Sequence, residues 1–194
     1  MNLSWPNLLT DPNVSDCTTL SSFTSEASLL AGPNLQPFLK AFYFAGAKAR
    51  GRKVRFTARG VLSSTGTPTY LFKARLGTTA GDSYLAGTVI GTTAALTTGS
   101  GVSNEQWELL LDVTCRTPGI GTGAATLCVS GWLSSPGLAA PYRYAVQPST
   151  PPQATWTVTI DAGLTQYLNL TATCSASNAS NAITCKEWEF LGLN

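Results

Sequence analysis

The side chains able to do chemistry in this chain are few, and their types exclude the commoner mechanisms. No histidine occurs among the 194 residues, so the imidazole base of a nucleophilic triad is missing, together with the commonest nitrogen ligand for a transition metal. The five cysteines, Cys17, Cys115, Cys128, Cys174 and Cys185, form no Cys-x-x-Cys pair. A structural zinc would have to gather widely scattered thiolates, so neither metal nor cofactor is expected. Paired carboxylates remain for catalysis, because glycoside hydrolysis needs only two acids at a suitable separation. The candidates are Glu105, Glu108 and Asp112, or Glu187 and Glu189. Both sets fall at outward positions of alternating segments and read as solvated strand faces. The fragment PGIGTGAAT, Pro118 to Thr126, has the glycine spacing of a dinucleotide-binding turn. It leads into TLCVSGWL, a strand, where that motif needs a helix whose N-terminus holds the pyrophosphate. The expectation is a protein without catalytic residues.

Positive charge is the one marked asymmetry. Seven of the twelve basic residues lie between Lys40 and Arg59, and no acid occurs between Glu26 and Asp82. The segment GAKARGRKVRF places Lys48, Arg50, Arg52 and Lys53 in a cationic loop leading into a strand, suited to an anionic partner surface. A plainer reading is that Arg55, Arg59, Lys73 and Arg75 pair across strands with Glu108 and Asp112 on a shared solvent face, each pair being worth little. The net charge of +2 is too small to imply nucleic-acid binding, and a nucleic-acid partner is not expected.

These residues need elements to position them, and the dominant period is two. Val54, Phe56, Ala58 and Leu62 alternate with Lys53, Arg55, Thr57 and Arg59; Tyr70, Phe72, Ala74 and Leu76 alternate with Leu71, Lys73 and Arg75. With the polar STGTPT between them, Ala58 to Gly77 reads as a β-hairpin with one apolar and one basic face. A third strand carries Trp107, Leu109, Leu111, Val113 and Cys115 on one side and Glu108, Leu110 and Asp112 on the other. Shorter strands are predicted around SYLAGTVI and TAALT, and further ones at 125–133, 155–160, 167–174 and 183–191. Cys174 and Cys185 bracket SASNASNAIT and could face each other across a closing hairpin; spacing alone leaves open whether they join. The Pro-rich SSPGLAAPYRYAVQPSTPPQ is a surface loop carrying Tyr142, Arg143 and Tyr144, a second candidate for ligand contact. Leu71, Leu110 and Trp132 fall on outward faces and are candidates for a subunit interface. No segment holds a helical period over three turns, and no apolar run approaches the ~20 residues of a membrane span. The amino-terminal MNLSWPNLLTDPNVSD lacks the basic and then apolar regions of a secretory leader. Residues 1–37, broken by Pro6, Pro12, Pro33 and Pro37, read as an extended arm whose Trp5, Leu8, Leu9 and Phe23 need a surface to pack on. Residues 38–194 read as an all-β domain, an antiparallel β-sandwich of the jelly-roll kind.

Three runs carry a resemblance: KVRFTARGVLSSTGTPTYLFKARLG, WELLLDVTCRTPGIGTGAATLCVSGWL and TVTIDAGLTQYLNLTATCSASNASNAITCKEWEFL. Their outline, with Gly60, the Ser64 to Thr69 turn, Arg75, Gly77, Trp107, Thr114, Arg116 and Gly119, resembles structural proteins of tailed bacteriophages. The resemblance implies a jelly-roll protein without catalytic residues that decorates or cements a capsid, commonly as a trimer. Its partner would be the major capsid protein and its place the virion exterior, after assembly in the host cytoplasm. The same architecture serves tail, baseplate and head-fibre parts with receptor or carbohydrate binding, which is the alternative reading of the Tyr142 loop.

Overall fold

A computed structural model describes residues 7–13, 15–30, 36–80, 85–119, 123–139, 142–148 and 156–193. Trp5 and the centre of the Pro118 to Thr126 fragment lie outside them. The elements are β1 (Asn7–Asn13), β2 (Leu20–Ser21), β3 (Ala27–Ser28), β4 (Phe38–Leu39), β5 (Lys53–Ser64), β6 (Thr69–Gly77), β7 (Thr88–Thr92), β8 (Leu96–Thr97), β9 (Val102–Thr117), β10 (Ala124–Ser134), β11 (Arg143–Val146), β12 (Thr157–Asp161), β13 (Gln166–Cys174) and β14 (Ala182–Gly192). A 3-10 turn spans Ala47–Ala49. The alternation in the sequence is the cause of this pattern. In β5, in β6 and from Trp107 to Cys115 of β9 every second residue is buried, and apart from Gly60 and Ser64 those residues are apolar.

Two antiparallel sheets form a sandwich. The larger has the order β1-β14-β5-β9-β10-β11, with β12 also on β10 and β2 on β14; the smaller has β3-β13-β6-β7, with β4 on β13 and β8 on β6. Their apposed faces meet in one core, where the Phe72 ring of the smaller sheet packs 5.9 Å from Trp107 of the larger. Phe56 and Phe190, both fully buried, meet edge to face at 6.2 Å. Each such side chain contributes ~1.5–3 kcal/mol by leaving water.

Two connections differ from the hairpins expected of them. β5 and β6 do not pair: β5 lies between β14 and β9 in the larger sheet, and β6 beside β13 in the smaller. The chain from Ser64 to Thr69 therefore arches over the edge of the core. The segment from Cys174 to Ala182 does the same between β13 and β14. The two arches run side by side, with the Thr65 N–H donating to Asn181 Oδ1 at 2.9 Å and the Thr69 N–H to Ser175 Oγ at 2.8 Å. A two-stranded ribbon, β5 with β14, thus folds over intact and continues as β6 with β13, which is the jelly-roll winding. Alternation cannot distinguish the two outcomes, because an inward face is inward in a hairpin and in an arch alike.

The stretch before Phe38 is laid along both sheets. β1 and β2 pair with β14, and β3 with β13. Cys17, Leu29 and Leu30 are buried, and the Leu29 N–H donates to the Leu170 carbonyl at 2.8 Å. Glu26 reaches the outer face of the smaller sheet. It accepts from Arg75 Nε at 2.7 Å, Lys73 Nζ at 2.9 Å and the Thr171 hydroxyl at 2.7 Å. Lys73 and Arg75 are therefore paired with an acid of the amino-terminal stretch, not with Glu108 or Asp112, which stand on the other sheet.

Candidate functional site

The outer face of the larger sheet carries rungs of charge set by register. Arg55 stands opposite Asp112, and Arg59 between Glu108 and Glu187. Arg55 grips Asp112 with two bonds of 2.7 and 2.9 Å, and Lys53 adds a third contact at 2.8 Å. Burial alone would push the Asp112 carboxyl up, but hydrogen bonds from Arg55 and then Lys53 outweigh it and hold it below the usual carboxylate range. Arg59 donates from Nε to Glu108 at 2.9 Å and from an η nitrogen to Glu187 at 2.8 Å. On the rung between these two lie Thr57, Leu110 and Trp132.

The four cationic loop candidates separate. Lys53 is committed to Asp112. Arg52 turns inward, donating to the Tyr43 carbonyl at 2.7 Å with its guanidinium 5.5 Å from the centre of the Tyr43 ring. Lys48 and Arg50 are exposed on and after the 3-10 turn. This loop is fixed along the end of β9: the Gly46 N–H donates to Gly119 O, and the Gly51 N–H to Cys115 O, both at 2.8 Å. Arg116, which no charge-cluster argument singled out, thereby joins Lys48 and Arg50 at one end of the sandwich. Phe42 and Leu164, 54% and 49% exposed, add apolar surface there. Phe42 is held in the left-handed region, φ 64, by its N–H bond to Ala162 O at 2.8 Å.

The interface candidates also separate. Leu110 and Trp132 are cross-strand neighbours, half-buried on the outer face of the larger sheet. Leu71 lies on the outer face of the smaller sheet, so the three cannot share one flat contact. The Arg143 guanidinium sits 4.4 Å above the Trp132 ring. Arg143 and Tyr144 are not loop residues: they open β11, an edge strand on β10. Tyr144 is half-buried with its hydroxyl donating to the Ala139 carbonyl. Of the two tyrosines, Tyr142 is the exposed one, at 55% exposure and φ 65.

An open cleft of about 420 Å³ lies at the far end of β5, lined by Arg59, Val61, Gln106, Glu108, Ser134 and Lys186 among others. A second hollow shares Ser134 and Pro136 with it and is bordered by Tyr142. Local irregularity makes the cleft. The β14 register shifts between Cys185 and Glu187 opposite Gly60 and Arg59, so that Lys186 is an extra residue bulging from the strand. The alternation carries its trace, because the inward row runs through Ile183 and Cys185 and resumes one position out of phase at Trp188 and Phe190.

Cys174 and Cys185 do not face each other, since they belong to different sheets, and both thiols are free. The neighbour of Cys185 is Cys17, whose N–H donates to the Cys185 carbonyl at 2.9 Å. A hydrogen bond with the Cys17 thiol, together with burial, pushes the Cys185 thiol far up. Among the described residues no cluster of acids and thiols could hold a metal ion.

Fold and surface define an all-β antiparallel sandwich of jelly-roll winding, with a cationic end and, at the other end of the same sheet, a charged cleft. No family model and no curated protein matches the chain. Similar solved structures include peanut lectin with a 9mer peptide, at 9% identity over 96% of this chain and 94% of that one, TM-score 0.32. Another is the CBM2 module of the evolved Dit of Lactobacillus casei BL23 phage J-1, at 8% identity over 80% and 67%, TM-score 0.28. A third is the PL-14 alginate lyase from Aplysia kurodai, at 8% identity over 81% of each chain, TM-score 0.26.

Proposed function

We propose that this chain is a non-enzymatic structural protein of a tailed-phage virion, which binds the assembled capsid surface by its cationic end and stabilises the shell. The observation that carries the reading is the sorting of the cations. Lys53, Arg55, Arg59, Lys73, Arg75 and Lys186 are paired with acids. Arg52 is engaged by Tyr43 and Arg143 by Trp132. The four that have no ion pair among the described residues, Lys40, Lys48, Arg50 and Arg116, all flank one end, beside the exposed Phe42 and Leu164. Charge without internal compensation, next to apolar surface, suits an acidic protein partner. A ligand that binds only the assembled lattice stabilises that lattice by mass action and needs no catalytic group.

Purified protein added to shells that lack it tests this. Wild type should bind with an affinity that falls as salt rises, because exposed charges are screened over about 8 Å at physiological ionic strength. A variant with Lys48→Ser, Arg50→Ser and Arg116→Ser should bind weakly and with little salt dependence. Equal binding of variant and wild type at low salt refutes the proposal, and capture by tails instead of shells moves the docking surface to the tail.

A further inference from the structure

We infer that the cleft beside Arg59 is a binding site for a neutral oligosaccharide chain, recognised by Arg59, Glu108 and Glu187 and stacked on Tyr142. Arg59 lies flat between two carboxylates, and its two bonds to them use two of the five N–H donors of a guanidinium. Glu108 and Glu187 each accept through Oε1, which leaves further acceptor positions on both groups. Donors and acceptors therefore alternate along the cleft floor at the spacing of one side chain. Vicinal hydroxyls, which donate and accept at once, match such a row. Gln106 and Ser134 add uncharged groups of the same kind to the lining.

The charge balance decides against an ionic ligand. Arg59 lies between Glu108 and Glu187, and Lys186 is engaged by Asp16, so the cleft holds no uncompensated positive charge for an anion. A phosphate or a uronate chain would gain little there, and a cation would meet Arg59. The apolar requirement of a sugar ring is supplied by Tyr142, which lines the adjoining hollow with Pro136. Its backbone is in the left-handed region, a strained state for a non-glycine residue, and its carbonyl accepts the Ser135 N–H at 3.1 Å. Strain that holds an aromatic ring in solvent is expected where the ring has a face to stack against. Together the two hollows are of the size that small-molecule sites occupy.

The position adds a geometric consequence. From Arg52 to Gly60 is eight residues of extended chain, roughly 26 Å at the rise of a strand. A molecule anchored by its cationic end would hold the cleft away from the anchor, facing outward. That orientation rests on the proposed docking; sugar binding does not, and it is measured on the isolated protein.

The experiment is an array of short neutral and anionic glycans probed with the purified protein, with calorimetry on the hits. Neutral chains should bind with Kd of about 0.1–1 mM, as expected of a shallow polar site. Tyr142→Ala and, separately, Glu108→Gln should each weaken binding about tenfold or more, while Arg50→Ser at the opposite end leaves it unchanged. Far-ultraviolet circular dichroism and thermal unfolding confirm that each variant is folded. The inference is overturned if no neutral glycan binds, if only anionic chains bind, or if both cleft variants bind as wild type does. Failure here with intact shell binding would leave the docking proposal standing.

Discussion

Glu26 is the acid on which the outer face of the smaller sheet depends, and replacing it by glutamine isolates that dependence. Its side chain is 14% exposed and that of Arg75 13%, so this ion pair is far drier than the ones on the opposite face. Burial by itself would raise the Glu26 carboxyl. The hydrogen bonds from Arg75, Thr171 and Lys73 outweigh burial and hold it at about 2, against an ordinary value of 4.5. The folded-state value is depressed, so the stabilisation is complete above pH 4.5 and is lost as pH falls towards 2. The gap corresponds to about 3 kcal/mol, which agrees with the ~3–5 kcal/mol lost when one partner of a buried pair is removed. Glu26→Gln keeps the shape and leaves Arg75 without its counter-charge. In urea, with a slope of ~2–3 kcal/mol/M for a domain of this size, the midpoint at pH 7 should fall by about 1–1.5 M. At pH 2.5 the difference should shrink to about a quarter of its size at pH 7, because most of the stabilisation from the wild-type carboxylate is by then lost. A midpoint difference that is absent at pH 7, or as large at pH 2.5 as at pH 7, would refute the reasoning.

Three further outcomes are expected. Gly60→Ala should cost more than about 4 kcal/mol in chemical unfolding, because a Cβ there would lie 1.9 Å from the Thr184 carbonyl oxygen and 2.8 Å from the Trp107 ring. Gly66→Ala, in open space but at φ +67, should cost only ~1–2 kcal/mol. Of the five cysteines only Cys128 is not fully buried, so a thiol reagent followed by peptide mapping should label Cys128 first in native protein and all five in urea. If Leu110 and Trp132 form a trimer contact, light scattering should give about three times the 20.3 kDa chain mass. Leu110→Asp should then reduce it to one chain without unfolding the sandwich; a wild-type monomer at all concentrations removes that contact.

The sequence was most informative where burial alone dictates residue type. The inward rows of β5, β6 and β9 were legible residue by residue, because a strand with one wet face must alternate. Partnership was not legible. Arg75 reads as a base in search of an acid, but that its acid is Glu26, from a stretch that looks like a loose arm, depends on β3 lying along β13, and β3 is only two residues long. Arg143 looked like a loop residue because prolines surround it, yet four residues suffice for an edge strand. At the candidate sites, Lys48 and Arg50 stood out as exposed charges and Arg52 did not behave like them, since its neighbour Tyr43 offers both a carbonyl and a ring. The cleft escaped notice because it is built by a bulge, whose trace in the sequence is only a phase slip, from Ile183 and Cys185 to Trp188 and Phe190, that does not say where the neighbouring strands lie.

The pairing of β14 against β5 has a consequence during synthesis. β5 ends at Ser64 and β14 begins at Ala182, so at ~5–20 residues per second the ribosome delivers the partner roughly 6–24 s later. Over that interval β5 and β9 can already zip together, and the other margin of β5 is an open ladder on a nascent chain, with Val54, Phe56 and Ala58 beside it. Such a margin invites pairing with a neighbouring copy on the same polysome. Lys53 and Arg55 are by then already paired with Asp112 of β9, and Arg59 with Glu108, whereas Glu187, the second acid of Arg59, arrives only with β14. The surface ladder of charge on the finished sheet is therefore completed at Arg59 last.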